Sequence, residues 1–145
     1  MIKLVPPTDP VLWARANPVV DIAAQVSPHV KDVKEFLIRT NGLGIAAPQF
    51  GVGLRFFGWR NVAVSLVINP EITAHGNETE VKIEGCFSFP GQLTARRRYK
   101  QITVSYQDET GRQIVKELSG RNARVFQHEI DHLNGINLFP QPKAV

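Results

Sequence analysis

The sequence predicts an α+β fold, mostly antiparallel strands packed around a central helix, in one domain spanning residues 1–145. Three observations lead there. Two stretches, one opening at Ser27-Pro28 and one reaching Leu133, carry key residues at helical spacing. The runs between them have strand-like patterns and are punctuated by glycine, asparagine, aspartate and proline. At 145 residues the chain can bury roughly two-thirds of its unfolded surface in one core.

Taken in order, Ser27-Pro28 starts a helix, because the fixed backbone angle of proline suits a first turn. Val30, Val33, Phe36 and Leu37 line one side of it, and Asn41-Gly42 ends it. Strand-like runs follow at 54–59, 63–68, 80–83, 94–107 and 113–118. Asp108-Glu109-Thr110-Gly111 makes the turn between the last two. Ser119 is placed to cap a helix that begins near Arg121. Leu133-Asn134-Gly135 stops that helix, since Gly135 can take the left-handed conformation. Beyond it Pro140 and Pro142 forbid another regular helix.

Composition narrows the setting. The amino terminus lacks the apolar core of a signal peptide and no segment could span a membrane, which predicts a cytoplasmic protein. A lone cysteine, Cys86, cannot form an internal disulfide and points to a reducing compartment. The formal charge of +4 and the run Arg96-Arg97-Arg98-Tyr99-Lys100 raise a nucleic-acid reading. That run leads into the alternating Gln101 to Tyr106, so its charges are read mostly as a solvated strand face. His29 and His75 are expected to be exposed.

The chemistry concentrates in three segments. In Gln127-His128-Glu129-Ile130-Asp131-His132 the two imidazoles stand one helical turn apart, about 6 Å along the axis, a spacing at which both can bind one metal ion. Glu129 is offset from that pair and suited to proton transfer rather than ligation. A hydrolytic metal site needs a third ligand and an open position. Cys86, in Glu84-Gly85-Cys86-Phe87-Ser88 and bracketed by Gly85 and Pro90, can supply a thiolate. Gly42-Leu43-Gly44-Ile45-Ala46-Ala47-Pro48-Gln49 is small enough for close backbone approach, and lacks the residues of a phosphate cradle. The amide of Gln49 can donate to a developing oxyanion without a change of charge.

Gly42-Leu-Gly-Ile-Ala-Ala-Pro-Gln49, Glu84-Gly-Cys-Phe-Ser88 and Gln127-His-Glu-Ile-Asp-His132 together resemble the three motifs of the peptide deformylases, in identity, order and approximate spacing. Leu4 to Leu12 and Ala16-Asn-Pro-Val19 also look like the amino terminus of that family, so the similarity runs over nearly the whole chain. The resemblance implies hydrolytic removal of the formyl group from the N-formylmethionine of nascent peptides. It implies that Cys86, His128 and His132 hold a divalent metal, that Glu129 is general base and acid, and that Gln49 and the backbone N–H of Phe87 donate to the oxyanion. It further implies a methionine pocket and peptide-binding edge built from Leu43, Gly44, Glu84, Gly85, Arg121 and Val125.

Ligand chemistry alone points to Zn2+, whereas the resemblance implies Fe2+ as the working metal, with Ni2+ or Co2+ as active substitutes and Zn2+ able to occupy purified protein. Two positions depart from the family pattern. Arg121 stands where an apolar residue is common, and Phe87 replaces a common leucine beside the cysteine. Asp131, inside the metal helix, needs a partner, and Arg98 is the candidate. The short stretch after Gly135 resembles forms found in bacteriophages and puts ribosome docking in doubt, leaving at most a weak ribosome contact by a monomer. Two other classes are weighed against this reading. A metallopeptidase would use the same water, metal and glutamate but usually a third His or Glu ligand, and a metal-stapled nucleic-acid binder would not need Glu129.

Overall fold

The computed structural model describes residues 1–143 and shows an α+β architecture in which two helices sandwich an antiparallel sheet. The helices are α1 (Ile22–Gln25), α2 (Ser27–Thr40) and α3 (Gly120–Leu133). The strands are β1 (Gly44–Ala46), β2 (Phe56–Arg60), β3 (Val64–His75), β4 (Thr79–Gly85), β5 (Leu93–Tyr99), β6 (Gln101–Gln107) and β7 (Gln113–Ser119). Five of them form a sheet in the order β1-β2-β3-β6-β7, and β4 pairs with β5 in a separate hairpin. All of these pairings are antiparallel.

Side-chain alternation along β2 and β3 sets the layers. Phe56, Leu66 and Ile68 join Val33, Phe36 and Leu37 of α2 in one buried cluster, while Phe57, Trp59 and Val67 join Val125, Phe126 and Ile130 of α3 in another. Gly58 faces Val33, and a side chain at that position would collide with it, so α2 sits hard against the strand. Helix α3 lies between the large sheet and the hairpin. Its Gln127 bonds both the N–H and the carbonyl of Tyr99 at 2.9 Å, tying the helix to the end of β5.

Several expectations are corrected. The run 94–107 is two strands in two different sheets, separated at Lys100, whose N–H bonds the carbonyl of Glu78 at 3.0 Å. The 63–68 run continues to His75, past a register shift between Ile68 and Glu71 where Asn69 has φ of 51° and Pro70 has no N–H to donate. Ser119 occupies the N-cap of α3, but its side chain makes no capping bond. Within the basic run, Arg98 is buried and Arg96 half-buried, leaving Arg97, Tyr99 and Lys100 on the surface. Val30 and His29 are half-buried, and the His29 ring stacks on Phe56 with centroids 5.9 Å apart. His75 is exposed, stacked on Tyr99. Gly135 takes φ of 75°, as its place after α3 requires.

Candidate active site

The fold brings the three chemical segments to one cavity of about 710 Å³, and every expected site residue except His132 lines it. His128, Glu129 and His132 project from α3, Cys86 follows the end of β4, and Gln49 sits in the short 3-10 turn Ala47–Phe50 after β1. The ligand atoms of Cys86, His128 and His132 all lie within 4.8 Å of one another, and Cys86 Sγ is 3.2 Å from His132 Nε2. Among the described residues this is the one cluster of its kind.

Each member is held by a neighbour. The Gln49 side chain is oriented by Ala46, whose N–H donates to Oε1 at 2.9 Å, so Nε2 faces the cavity side. There it donates to Ser88 Oγ at 3.0 Å and approaches Cys86 Sγ at 3.4 Å. The buried Ser88 is one residue sequence reading missed, although its place in the cysteine segment was visible. Glu129 is only 4% exposed, and its Oε1 has no hydrogen-bond partner. The carboxylate packs against Gly44, where an added Cβ would stand 2.5 Å from Oε2. Phe87 lays its ring against Phe36 and over Gly42, where a Cβ would come within 2.7 Å of the ring.

The Gly44 contact yields a sharp expectation. Gly44→Ala displaces the Glu129 carboxylate, and if that carboxylate is the proton-transfer group expected from the sequence, turnover should fall about 100-fold, the effect of moving a reacting group by about 1 Å. Metal content, measured by elemental analysis, stays at the level of the parent chain. Equal turnover in Gly44→Ala and the parent would refute this steric coupling.

Glu84 is the hub of the surrounding charges. Its carboxylate accepts bonds from Arg98 Nε and Nη2 at 3.0 Å each, from Arg124 Nη1, and from His128 Nδ1 at 3.0 Å. Arg98 also reaches Asp131, the partnership expected from sequence. Although Glu84 touches the cavity, its oxygens are thus committed to side chains of the protein. Arg124, not singled out in the sequence, lines the cavity and also bonds the carbonyls of Arg96 and Glu80. Arg121 lies exposed at the rim and Val125 is buried in the helix face below it.

Comparison with known proteins resolves what this arrangement belongs to, since the polypeptide deformylase family profile matches residues 1–143. The chain belongs to that family. The peptide deformylase of Thermotoga maritima is 46% identical over 132 residues, covering 88% of this chain and 79% of the relative. Its crystal structure superposes with a TM-score of 0.91 at 42% identity, covering 95% of each chain. A probable peptide deformylase of Synechococcus phage S-SSM7 has a TM-score of 0.88 at 33% identity, covering 94% of this chain and 97% of that one. The peptide deformylase of Synechococcus elongatus in complex with actinonin has a TM-score of 0.89 at 30% identity, covering 99% and 79%.

The donor set fits the metal such a deformylase requires. One thiol sulfur and two imidazole nitrogens converge from a strand end and one helix face, the donor types of a catalytic site with an open position. With Nδ1 of His128 donating to Glu84, its Nε2 is free to ligate. Burial disfavours a charged His128, yet Glu129, Cys86 and Glu84 outweigh it and lift its pKa to about 10. Burial and the nearby His128 charge depress His132 to about 3, keeping it a neutral ligand. Burial raises Glu129 to about 7, against the pull of His128 and Arg98, as suits a group that takes and returns a proton near neutrality. Glu84 is held far below the usual carboxylate range, because bonds from His128, Arg98 and Arg124 overcome the opposing effect of burial.

Proposed function

We propose that this chain is a metal-dependent hydrolase that removes the N-formyl group from the initiator N-formylmethionine of nascent polypeptides, releasing formate. One observation carries this reading: the unpartnered, buried oxygen of Glu129 stands beside a Cys86, His128, His132 ligand set in a family of deformylases. Those three residues would hold a divalent cation, which when bound lowers the pKa of water from about 15.7 towards about 7 and polarises the formyl oxygen.

The chain's own groups do the rest. Glu129 takes a proton from the attacking water as its oxygen adds to the formyl carbon. Gln49 Nε2 and the Phe87 N–H donate to the carbonyl oxygen as it gains charge. Glu129 then delivers the proton to the methionine nitrogen as the C–N bond breaks, and formate leaves with the free amine. The peptide binds in extended form between β1, an edge strand of the large sheet, and β4, whose outer edge is unpaired, so that backbone near Gly44 and Gly85 adds it as a strand. Leu43 and Val125 with the stem of Arg121 enclose the methionine, the arginine keeping its charge in water.

The reading is tested with formyl-Met-Ala-Ser and the unformylated peptide. The metal-loaded protein releases formate from the first and cleaves no bond in the second; cleavage of the unformylated peptide would make it a peptidase instead. Gln49→Ala is expected to lower kcat about 100-fold, the usual cost of one oxyanion donor. Turnover of formyl-Met-Ala-Ser equal to that of the parent would reject the role of Gln49.

Fe2+ is the working metal in this reading, with Ni2+ and Co2+ active in its place and Zn2+ a frequent occupant. Anaerobic Fe2+ loading should raise activity over the Zn2+ form, and full activity with Zn2+ with no gain from Fe2+ would overturn that preference. Among the described residues no helix is long and apolar enough to cross a membrane. We place the enzyme in the cytoplasm of a bacterium or a phage-infected host, as a monomer, where its formylated substrates emerge. Any ribosome contact through surface charges such as Arg97 and Lys100 is weak and salt-sensitive.

A further inference from the structure

Two buried polar atoms behind the metal ligands lack partners, His132 Nδ1 and Asn137 Oδ1. One is a potential donor and the other an acceptor. The orientation of the Asn137 amide is not arbitrary, because Nδ2 lies 2.8 Å from the carbonyl oxygen of Leu12, which can only accept. Oδ1 is therefore the atom left facing inward. The tautomer of His132 is constrained in the same way. Its Nε2 lies 3.2 Å from Cys86 Sγ, on the side where the metal would be held, so in a ligating His132 the lone pair is on Nε2 and the proton on Nδ1.

The local fold delivers Asn137 to this place. After α3 the chain turns at Gly135, at φ of 75°, passing so close to Trp13 that a Cβ would stand 2.7 Å from its carbonyl oxygen. Arg96 then pins the segment through the carbonyl of Leu138 at 2.7 Å. Asn137 lies near enough to His132 for its side chain to oppose the effect of burial on the imidazole. Leaving a buried donor and a buried acceptor both unpaired is costly. The turn after α3 folds back on the helix end, with the Gly135 N–H on the carbonyl of His132 at 3.1 Å and the Ile136 N–H on that of Asp131 at 2.8 Å, which returns the chain towards His132 just before Asn137.

We infer that Asn137 is the positioning residue for His132, accepting a hydrogen bond from Nδ1–H and so fixing the ring with Nε2 towards the metal, as Glu84 does for His128. This rests on the reading of His132 as a metal ligand. A ligand whose second nitrogen is anchored keeps its metal longer, and losing such an anchor typically lowers affinity about 10- to 100-fold.

The test uses Zn2+-loaded protein and an excess of chelator. Asn137→Leu, close in shape but without an acceptor, should release Zn2+ about 10- to 100-fold faster than the parent. Asn137→Asp restores the acceptor and should bring the rate most of the way back. Release from Asn137→Leu at the parental rate, or from Asn137→Asp as fast as from Asn137→Leu, overturns the proposal. Nuclear magnetic resonance of the Zn2+-loaded parent provides a measurement that needs no variant to fold. The His132 Nδ1 proton should be exchange-protected and show cross-relaxation to the Asn137 amide protons, and a rapidly exchanging proton without that cross-peak overturns the proposal. Failure of the parent to bind any divalent metal would instead remove the metal-centre reading itself.

Discussion

Glu129→Gln is expected to lower kcat for formyl-Met-Ala-Ser about 1000-fold while the protein stays folded and keeps its metal, because it removes a proton-transfer group and little else. The carboxylate is buried, one of its oxygens has no partner, and the other packs against Gly44. An unpartnered oxygen in a buried site is a cost to the fold, which a role in moving protons would explain. The amide of glutamine fills the same volume but cannot accept a proton at neutral pH, so the loss falls on kcat. Three measurements check it: turnover, metal content, and thermal unfolding within a few degrees of the parent. Activity within a few-fold of the parent, with metal bound, would leave a metal-stapled binder as the better description.

Glu84→Ala is expected to be the most damaging change to stability. Arg98 and Glu84 are each 7% exposed and Arg124 is 12% exposed, so removing the carboxylate strands two cations in a poorly solvated place. Breaking such a pair from one side costs about 3 to 5 kcal/mol. Asp131 still pairs with Arg98, which places the expectation at the lower end, about 3 kcal/mol and roughly a 10 °C fall in Tm. The change also releases Nδ1 of His128, so metal affinity should drop about 10- to 100-fold. Denaturant unfolding of the metal-free chain isolates the first effect, and competition with a chelator measures the second. A metal-free protein as stable as the parent would show that Arg98 and Arg124 find water or other partners at no cost.

The two variants separate roles that sequence reading had only partly distinguished. Glu129 and Glu84 are both carboxylates within a short motif, yet one is left unpaired and the other is saturated by three partners. Glu84, expected to help build the substrate pocket, does line the cavity. Its neighbours show that its charge is spent on Arg98, Arg124 and His128, which leaves the apolar lining to residues such as Leu43 and Val125.

How much was legible beforehand depended on the range of the interactions. The helical spacing of His128 and His132 and the glycine stop at Gly135 are local, and both are found where the pattern places them. The break at Lys100 was not legible, since β5 and β6 continue the same alternation with no turn residue between them and only their partners differ. Strand β1 was missed because three residues are too few to show a period, and β2 alone defines it. Ser88 and Asn137 gave no chemical signal because neither is charged, and their significance lies in atoms they face across the fold.

The amino-acid sequence by itself determined the chemistry available to this protein: a thiol, two imidazoles one turn apart, a carboxylate beside them and an amide in a glycine-rich segment, arranged as in the polypeptide deformylases. Only the tertiary structure decided which of those groups are free to act and which are held. That division follows from physics, because backbone periodicity is written in neighbouring residues, whereas burial and hydrogen-bond satisfaction belong to atoms that meet only when β4, β5, the segment after Gly135 and α3 close around one another.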